Sequence, residues 1–213
     1  MHADPQLDLR VGGFVPFTTV DFPGRLSAVI FCQGCGWRCR YCHNTHLQAF
    51  HDGSSGWQWA TVKASLEERR GFLEAVVFSG GEPTAQAATQ AAVGEVKAMG
   101  YLVGLHTAGM LPERLKELLP LLDWVGLDIK APLDERYEAT TRQAGGHRVV
   151  SRSLDLLLES GVGYELRTTV HPALLGEREK EDIVAELARR GAHPPKFQVF
   201  RSEGCRDDGL LAA

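Results

Sequence analysis

Three cysteines lie close together in the chain, at Cys35, Cys39 and Cys42, with the spacing C-x3-C-x2-C. Three thiolates on one tight loop can bind three irons of a cubic iron–sulfur cluster. The fourth iron would then have no protein ligand, and an open metal position can bind a substrate or a cofactor directly. The spacing therefore favours a metal centre that takes part in a reaction.

Two other uses of these cysteines compete with an iron–sulfur cluster. Cys32 shortly precedes Cys35, so four cysteines could close a structural zinc site, although such sites usually separate their cysteine pairs more widely. A disulfide framework is typical of small secreted chains. The first residues contain Asp4 and Asp8 and lack a long apolar segment, so we expect no signal peptide. The spacing alone leaves zinc and unreactive thiols open.

The composition is that of an ordinary globular protein. The chain has 213 residues, 44% of them hydrophobic and 23% charged, which predicts one domain over residues 1–213. The formal net charge is −4 with no long run of one sign, so nucleic-acid binding has no support. No apolar stretch is long enough to span a membrane. We therefore expect a soluble, cytoplasmic protein, because that compartment keeps thiols reduced.

Short apolar segments alternate with amphipathic ones along the chain, as is typical of parallel α/β folds. The predicted strands are 27–31, 75–78, 102–105, 124–129, 164–170 and 196–200. Most lack strict alternation of apolar and polar residues, as expected of strands covered on both faces. Helical spacing of apolar residues predicts helices within 88–99, 111–122 and 183–188. Six strand–helix units are too few for a closed eight-stranded barrel, so we predict an open or partial barrel.

Three segments outside these elements carry predictions of their own. The cysteine loop spans 32–46. Residues 53–56, all Gly or Ser, are predicted to form a surface connection. The tail from about 203 to 213 has no clear pattern, so we expect it to be mobile and Cys205 to be incidental.

Polar residues recur where the predicted strands end, and functional groups of parallel α/β folds gather at such C-terminal ends. The cysteine loop follows the first strand, and the second strand is followed by Ser79, Gly80, Gly81, Glu82 and Pro83. The next three strands end in or precede His106, Thr107, Asp128, Lys130, Arg167, Thr169 and His171. Each of these could be an ordinary structural residue, but their shared position predicts one active rim. There, Glu82 or a nearby carbonyl could bind an ammonium group, and Arg167 a carboxylate.

These motifs, taken together, resemble the radical S-adenosylmethionine (SAM) superfamily. The resemblance rests on the three cysteines, on Tyr41 directly before the last of them, and on the Gly80-Gly81-Glu82-Pro83 motif, all in the family's order. It implies a partial (β/α)6 barrel of the radical SAM type over essentially the whole chain. It also implies a [4Fe–4S] cluster held by Cys35, Cys39 and Cys42, whose remaining iron is chelated by the amino and carboxylate groups of SAM.

The same resemblance implies a reaction and a set of cofactor-binding residues. An electron delivered to the cluster would cleave the sulfonium of SAM, and the resulting 5′-deoxyadenosyl radical would abstract hydrogen from a substrate. Gly80, Gly81 and Glu82 would contact the methionine part of SAM, and Tyr41 would lie near its adenine. The remaining cofactor-binding positions that we expect are Ser79, Thr107, Asp128, Lys130, Arg167 and His171.

One branch of the superfamily gives the best match. Segments 13–24, 31–35 and 41–44 are similar to the activating proteins of anaerobic ribonucleoside-triphosphate reductase. This similarity implies that the radical removes hydrogen from a glycine of a partner, the anaerobic ribonucleotide reductase, with electrons from a flavodoxin or ferredoxin. Three alternatives stay open: a small-molecule enzyme such as the 7-carboxy-7-deazaguanine synthases, a non-enzymatic zinc-binding module that uses Cys32, and a ferredoxin-like electron carrier.

Overall fold

The computed structural model describes residues 8–50 and 57–212. Seven strands form one sheet in the order β1 to β7. They are β1 Val11–Thr18, β2 Ser27–Cys32, β3 Ala75–Gly80, β4 Leu102–Thr107, β5 Trp124–Asp128, β6 Gly163–Val170 and β7 Lys196–Val199. β1 pairs antiparallel with β2, and every later pair is parallel. Over the part of the chain described, β1 and β7 do not pair with each other, so the sheet is open as predicted.

Six α-helices connect the parallel strands in the described part of the chain. They are α1 Trp59–Glu67, α2 Thr89–Ala98, α3 Pro112–Leu118, α4 Tyr137–Thr141, α5 Gly146–Ser160 and α6 Glu177–Arg189. A short helix, α7 Asp208–Leu211, follows β7. Each parallel strand pairs with the next one along the chain, and such crossovers are almost always right-handed. The connecting helices therefore cover one face of the sheet, as they do in a β/α barrel.

The central strands are covered on both faces, as their unbroken apolar sequences predict. In β3, Val76 and Phe78 belong to the large core that lies under the helices. Val77, between them, belongs to a smaller cluster with Phe22 and Trp124. Because successive strand residues point to opposite faces, this smaller cluster fills the inner side of the curved sheet.

The two edge strands differ from the prediction. β1 was not predicted, because Gly12, Gly13 and Pro16 are poor strand residues. An edge strand tolerates them, because only one of its sides belongs to the sheet. Its pairing with β2 shifts in register between Val11 and Gly13 and between Val15 and Thr18, and its outer side makes one isolated bridge, from Val11 to Trp57. β7 was predicted, but all four of its residues are exposed, whereas most of the predicted strands were expected to be covered on both faces.

The C-terminal segment, which we expected to be mobile, packs against the cysteine loop. Cys205 and Leu210 are buried, and Asp207 forms ion pairs with Arg40 and Arg142. These contacts oppose the mobility that the lack of a sequence pattern had suggested.

Two further expectations concern other parts of the chain. The predicted connection at 53–56 lies outside the described residues. Within the segments that the structure covers, no helix is both long and apolar enough to cross a membrane.

Candidate functional site

A cavity of about 280 Å³ opens at the C-terminal ends of the parallel strands. It brings together most of the residues that the sequence singled out. The predicted residues on its wall are Cys35, Cys39, Tyr41, Cys42, Ser79, Gly80, Gly81, Thr107, Asp128, Lys130 and Arg167. Residues from the cysteine loop and from four strands or their ends therefore converge on one space, as the strand-end rule predicts.

The cysteine loop is held against the sheet by backbone hydrogen bonds. The amide of Gly34 donates to the carbonyl oxygen of Leu47 at 2.8 Å, and that of Cys35 to Gln48 at 3.1 Å. Closer to the last two thiols, the amide of Cys42 donates to the carbonyl oxygen of Cys39 at 3.2 Å. All three cysteines carry free thiols and are partly exposed on the cavity wall.

The buried surroundings disfavour a free thiolate at these positions, so an ionised cysteine here needs a bound cation to balance its charge. Burial, with a smaller contribution from the Glu82 carboxylate, raises the pKa of Cys35 to about 12, and burial also raises the pKa of Cys39. A thiolate is stable at such a position when bound iron compensates its charge. Over residues 8–50 and 57–212, no three acidic, histidine or cysteine side chains surround a single ion position. A cubic cluster instead takes one thiolate per iron, so three separate thiols facing one cavity fit it.

Cys32 is placed differently from the other cysteines of the loop. It is the last residue of β2, is fully buried and does not line the cavity. Burial raises the pKa of its thiol, and the negative charge of Glu82 adds to the effect. Cys32 is therefore a buried thiol of the sheet and does not face the cavity with the other three.

The Gly80-Gly81 turn brings β3 into close backbone contact with the cysteine loop. Gly81 donates its amide hydrogen to Cys32, and Glu82 donates to the carbonyl oxygen of Gly34, both at 2.9 Å. A Cβ atom on Gly81 would lie 2.4 Å from the oxygen of Gly34, and Gly80 has a φ of +110°. Only glycine allows this approach and this backbone conformation without strain.

Glu82 lies beneath the cavity wall, not on it. Its side chain is fully buried. Oε1 accepts hydrogen bonds from the amide and hydroxyl of Thr84 and from the hydroxyl of Thr107, and Oε2 accepts one from the amide of Ala108. Burial still raises the pKa of this carboxyl, against the effect of these donors. Glu82 therefore ties the glycine turn to the end of β4. Its carboxylate is not exposed in the cavity, where it was expected to contact the methionine part of SAM.

Charged side chains from neighbouring strands form the opposite wall. Asp128 Oδ1 accepts a hydrogen bond from Arg167 Nε at 3.0 Å and forms an ion pair with Arg167 Nη2 at 2.9 Å. Asp128 Oδ2 accepts a hydrogen bond from Lys130 Nζ at 3.2 Å. Burial acts to raise the pKa of Asp128, but the cations Arg167 and Lys130 prevail and lower it to about 2. The same Lys130 ammonium lies 5.6 Å from the ring centre of Tyr41, in cation–π contact. This wall carries one net positive charge.

His106 lies on the cavity wall between Ser79 and Asp21. Its Nδ1 lies 3.2 Å from the hydroxyl of Ser79, and its Nε2 lies 3.1 Å from the carbonyl oxygen of Asp21. Burial and, to a smaller extent, the nearby Arg167 cation together lower the pKa of His106 to about 3. The imidazole is therefore neutral at pH 7, with the Nε2 proton donated to Asp21.

His171 was predicted to bind the cofactor, but the structure places it away from the cavity. It is buried, with Nε2 3.0 Å from the carbonyl oxygen of Leu210 and Nδ1 accepting the amide hydrogen of Ala173. β6 ends at Val170, and the chain turns away after it. His171 therefore anchors the C-terminal segment.

His106 and Thr169, which were placed on the predicted active rim but not among the expected cofactor-binding residues, also line the cavity. Several other cavity residues were not predicted. They are Asp21, Trp37, His43, Asn44, Gln48, Ala108 and Gln198. His43 and Asn44 directly follow the last cysteine, so their position could have identified them. Asp21 and Gln198 lie towards the edges of the sheet, where no sequence pattern marks a functional residue.

Comparison with known proteins identifies the family. The model of the Radical SAM superfamily matches residues 29–188. A protein of Methanocaldococcus jannaschii named "Putative glycyl-radical enzyme activating enzyme MJ1227" is 35% identical over 183 residues, which is 81% of this chain and 73% of the relative. The pyruvate formate-lyase-activating enzyme of Clostridium pasteurianum is 32% identical over 195 residues, 90% of this chain and 81% of the relative.

A solved structure shares the fold over nearly the whole chain. The structure titled "Crystal structure of QueE from Escherichia coli" superposes with a TM-score of 0.59 at 16% identity, over 99% of this chain and 96% of that one. Identity at this level supports the fold alone. The family match and the relatives add the chemistry: this chain belongs to the radical SAM superfamily, and it is an enzyme that uses a [4Fe–4S] cluster and SAM.

Proposed function

We propose that this protein activates a glycyl radical enzyme by removing a hydrogen atom from a glycine Cα of that partner. The observation that carries the proposal is the cavity itself. It combines three free cysteines, a glycine turn and a charged wall at one end of an open sheet. The names of the two relatives support the same class of reaction.

The residues divide into two groups by what they would hold. Cys35, Cys39 and Cys42 would bind three irons of the cluster. Ser79, Gly80 and Gly81 would contact the methionine part of SAM with backbone groups, since glycine lets a ligand approach the main chain. Thr107 would bind SAM from the end of β4. Tyr41 would lie near the adenine.

The charged wall would orient SAM and the target glycine. Arg167 and Lys130 both bind Asp128, which fixes these long side chains in one arrangement. Fixed dipoles and charges of this kind position reactants without a rearrangement cost. Hydrogen-atom transfer needs no general base, so positioning and exclusion of water are the main demands on this chain.

When bound, the cluster supplies one electron that splits SAM into methionine and a 5′-deoxyadenosyl radical. The balance of the whole reaction is then simple. A C–H bond of the glycine breaks, a C–H bond of 5′-deoxyadenosine forms, and the unpaired electron stays on the glycine. The electron comes from an external donor, for which we propose a flavodoxin or ferredoxin.

For the partner, we propose the anaerobic ribonucleotide reductase. The support is the similarity of segments 13–24 and 41–44 to the activating proteins of that enzyme. A cytoplasmic location fits this partner, because the cluster thiols need reducing surroundings. The named relatives include an activase of pyruvate formate-lyase, so the test must compare both partners.

The first experiment measures SAM cleavage without any partner. The protein is reconstituted anaerobically with iron and sulfide, reduced, mixed with SAM and scored for 5′-deoxyadenosine. We expect Cys39→Ala to abolish cleavage, because one iron loses its ligand. Cys32→Ala is the control: it removes a buried thiol outside the cavity and should retain iron and cleavage. Native-rate cleavage by Cys39→Ala would refute the cluster assignment, and zinc bound through Cys32 would support the non-enzymatic module.

The second experiment identifies the substrate. The reduced protein and SAM are mixed with anaerobic ribonucleotide reductase, with pyruvate formate-lyase, or with neither, and the glycyl radical is measured by electron paramagnetic resonance. We expect a radical with the reductase. A radical formed only with the lyase would support the proposed activase function but identify pyruvate formate-lyase, not the reductase, as the partner. SAM cleavage without a radical on either protein would favour a small-molecule substrate, and no cleavage at all would favour an electron carrier.

A further inference from the structure

The C-terminal segment 200–212, here called the C-terminal clasp, holds the outer side of the cysteine loop. Asp207 makes the ionic contacts of the clasp with the loop and with α4's C-terminal end. Its carboxylate accepts two hydrogen bonds from Arg40, from Nε at 2.8 Å and from Nη2 at 3.2 Å, and one from Arg142 at 3.0 Å. Arg40 lies between Cys39 and Tyr41, so this forked ion pair acts in the middle of the cluster motif.

A second contact lies next to Cys42. Gly204 has a φ of +76°, and a Cβ there would lie 1.9 Å from the carbonyl oxygen of His43. The hydroxyl of Thr45 donates to the carbonyl oxygen of Gly204 at 2.9 Å. The clasp therefore touches the loop backbone directly after the last cysteine, and only glycine fits at that point.

Both ends of the clasp are fixed to the sheet. The ring of Phe200 packs against His43 and His171, with centroid distances of 5.7 and 4.9 Å. Nε2 of His171 donates to the carbonyl oxygen of Leu210, whose side chain is buried. These contacts hold the clasp against the end of β6, so the clasp can in turn restrict movement of the cysteine loop.

We propose that the C-terminal clasp sets the orientation of the last two cluster thiols, with Asp207 as the positioning residue. The inner side of the loop is fixed by Gly34 and Cys35, which bond to the chain around Gln48. The stretch from Cys39 to His43 has fewer backbone anchors, chiefly the Arg40 amide on Thr140 at 3.0 Å. The clasp supplies the contacts that this stretch lacks. The inference rests on the proposed role of the loop as the cluster site.

The structure also explains why Asp207 suits this role. Only 9% of its side chain is exposed, and hydrogen bonds from Arg40 lower the pKa of its carboxyl. A charge-assisted, forked pair gives both strength and a defined direction. Cys205 adds a weak contact, with Sγ 3.3 Å from the carbonyl oxygen of Arg40.

The first test uses the metal-free protein, so that it is independent of SAM chemistry and of the partner. Hydrogen exchange is measured for the amides of residues 39–46 in Asp207→Asn and in the control Asp208→Asn, whose side chain is exposed. We expect exchange about 10-fold faster in Asp207→Asn, because loss of a charge-assisted pair frees the loop. The control should match the wild type. Equal exchange in all three proteins would overturn the clasp.

The second test disrupts the backbone contact between the clasp and the loop at Gly204. Gly204→Ala adds a methyl group against His43, whereas the control Gly191→Ala carries the same positive φ, +72°, with no atom within 4 Å of its Cβ. Both variants bear the backbone strain, and only the first pushes the clasp away. Faster exchange at 39–46 in Gly204→Ala alone supports the clasp. The same exchange in both variants contradicts it, even if Asp207→Asn fails to fold.

A third readout separates positioning from general stability. After reconstitution, Asp207→Asn should lose iron faster than Asp208→Asn on dilution, and SAM should change the spectrum of its reduced cluster less. Its melting temperature without the cluster should stay within about 4 °C of the control, since one partly exposed ion pair contributes little. A fall in melting temperature with normal iron retention and a normal response to SAM would show a purely structural role. That result would overturn the proposed role of the clasp but not the proposed activase function.

Discussion

Glu82 illustrates, at the scale of single residues, how far spacing predicts a role. Its position after β3 correctly places it beside the cavity, but spacing does not show which way a side chain points. The structure buries its carboxylate among donors from Thr84, Thr107 and Ala108. His171 differs from its prediction for the same reason, because its ring faces the C-terminal segment. Cysteine positions were easier to predict, since three thiols within one short loop must lie close together.

Thr107 allows the role of Glu82 to be tested. Its hydroxyl donates to Glu82 Oε1 at 2.7 Å and accepts the amide hydrogen of Gly109 at 3.0 Å. We expect Thr107→Val, which keeps the shape, to lower the free energy of unfolding by about 1–3 kcal/mol, because a buried carboxylate loses a donor. Chemical denaturation of the metal-free protein measures this change.

The control for this prediction is Thr61→Val. Thr61 is exposed on α1, so its substitution should change stability by less than about 0.5 kcal/mol. Equal stability of Thr107→Val and the wild type would mean that the buried carboxylate does not depend on this hydroxyl.

At the scale of elements, burial on both faces made the strands predictable. All six predicted strands are present, and their observed bounds agree with the prediction to within two residues. Apolar sequences such as that of β3 cannot be placed anywhere except inside a sheet covered on both faces. β1 could not be predicted in the same way, because its residues fit an edge and edges have no distinctive pattern. The C-terminal segment was missed because it packs through single polar contacts with distant loops.

The turn after β3 is the element on which the cavity most depends. A Cβ on Gly81 would meet backbone atoms of Gly34 and Leu47, at 2.4 and 2.9 Å. Backbone cannot move aside as a flexible side chain can, so Gly81→Ala should destabilise the protein by about 1–3 kcal/mol. It should also lower the iron content after reconstitution, because the turn displaces the cysteine loop.

Gly94 provides the matched comparison. It lies inside α2, and nothing lies within 4 Å of a Cβ built there. Gly94→Ala should therefore stabilise the helix by up to about 1 kcal/mol and leave iron binding unchanged. Unfolding curves and iron analysis of both variants decide the matter. If Gly81→Ala binds iron normally, the close contact of turn and loop is not needed for the metal site.

At the scale of the whole molecule, the core and the metal site are largely separate. The main core consists of apolar side chains between the sheet and its helices, such as Phe78, Leu105 and Leu127. The cysteines of the cavity lie on the loop after β2, where Cys35 and Cys39 pack against that core and Trp37 joins it. Because the rest of this core does not involve the cysteine loop, we expect the chain to fold without its cluster, unlike a small domain that needs metal to fold.

Removal of the cluster should thus lower the stability of the fold but leave its secondary structure in place. A ligand that binds only the folded state, at about 100 times its Kd, adds about 2.7 kcal/mol. For a chain of this size that is a rise in Tm of about 5–10 °C. We expect the reconstituted protein to melt higher by this amount than the chelator-treated protein, with the same far-ultraviolet circular dichroism. Cys39→Ala should show no such rise, because it lacks one of the three thiols that we propose as cluster ligands. Loss of the helical signal on chelation would mean instead that the cysteine loop organises the sheet, and that core and metal site fold as one unit.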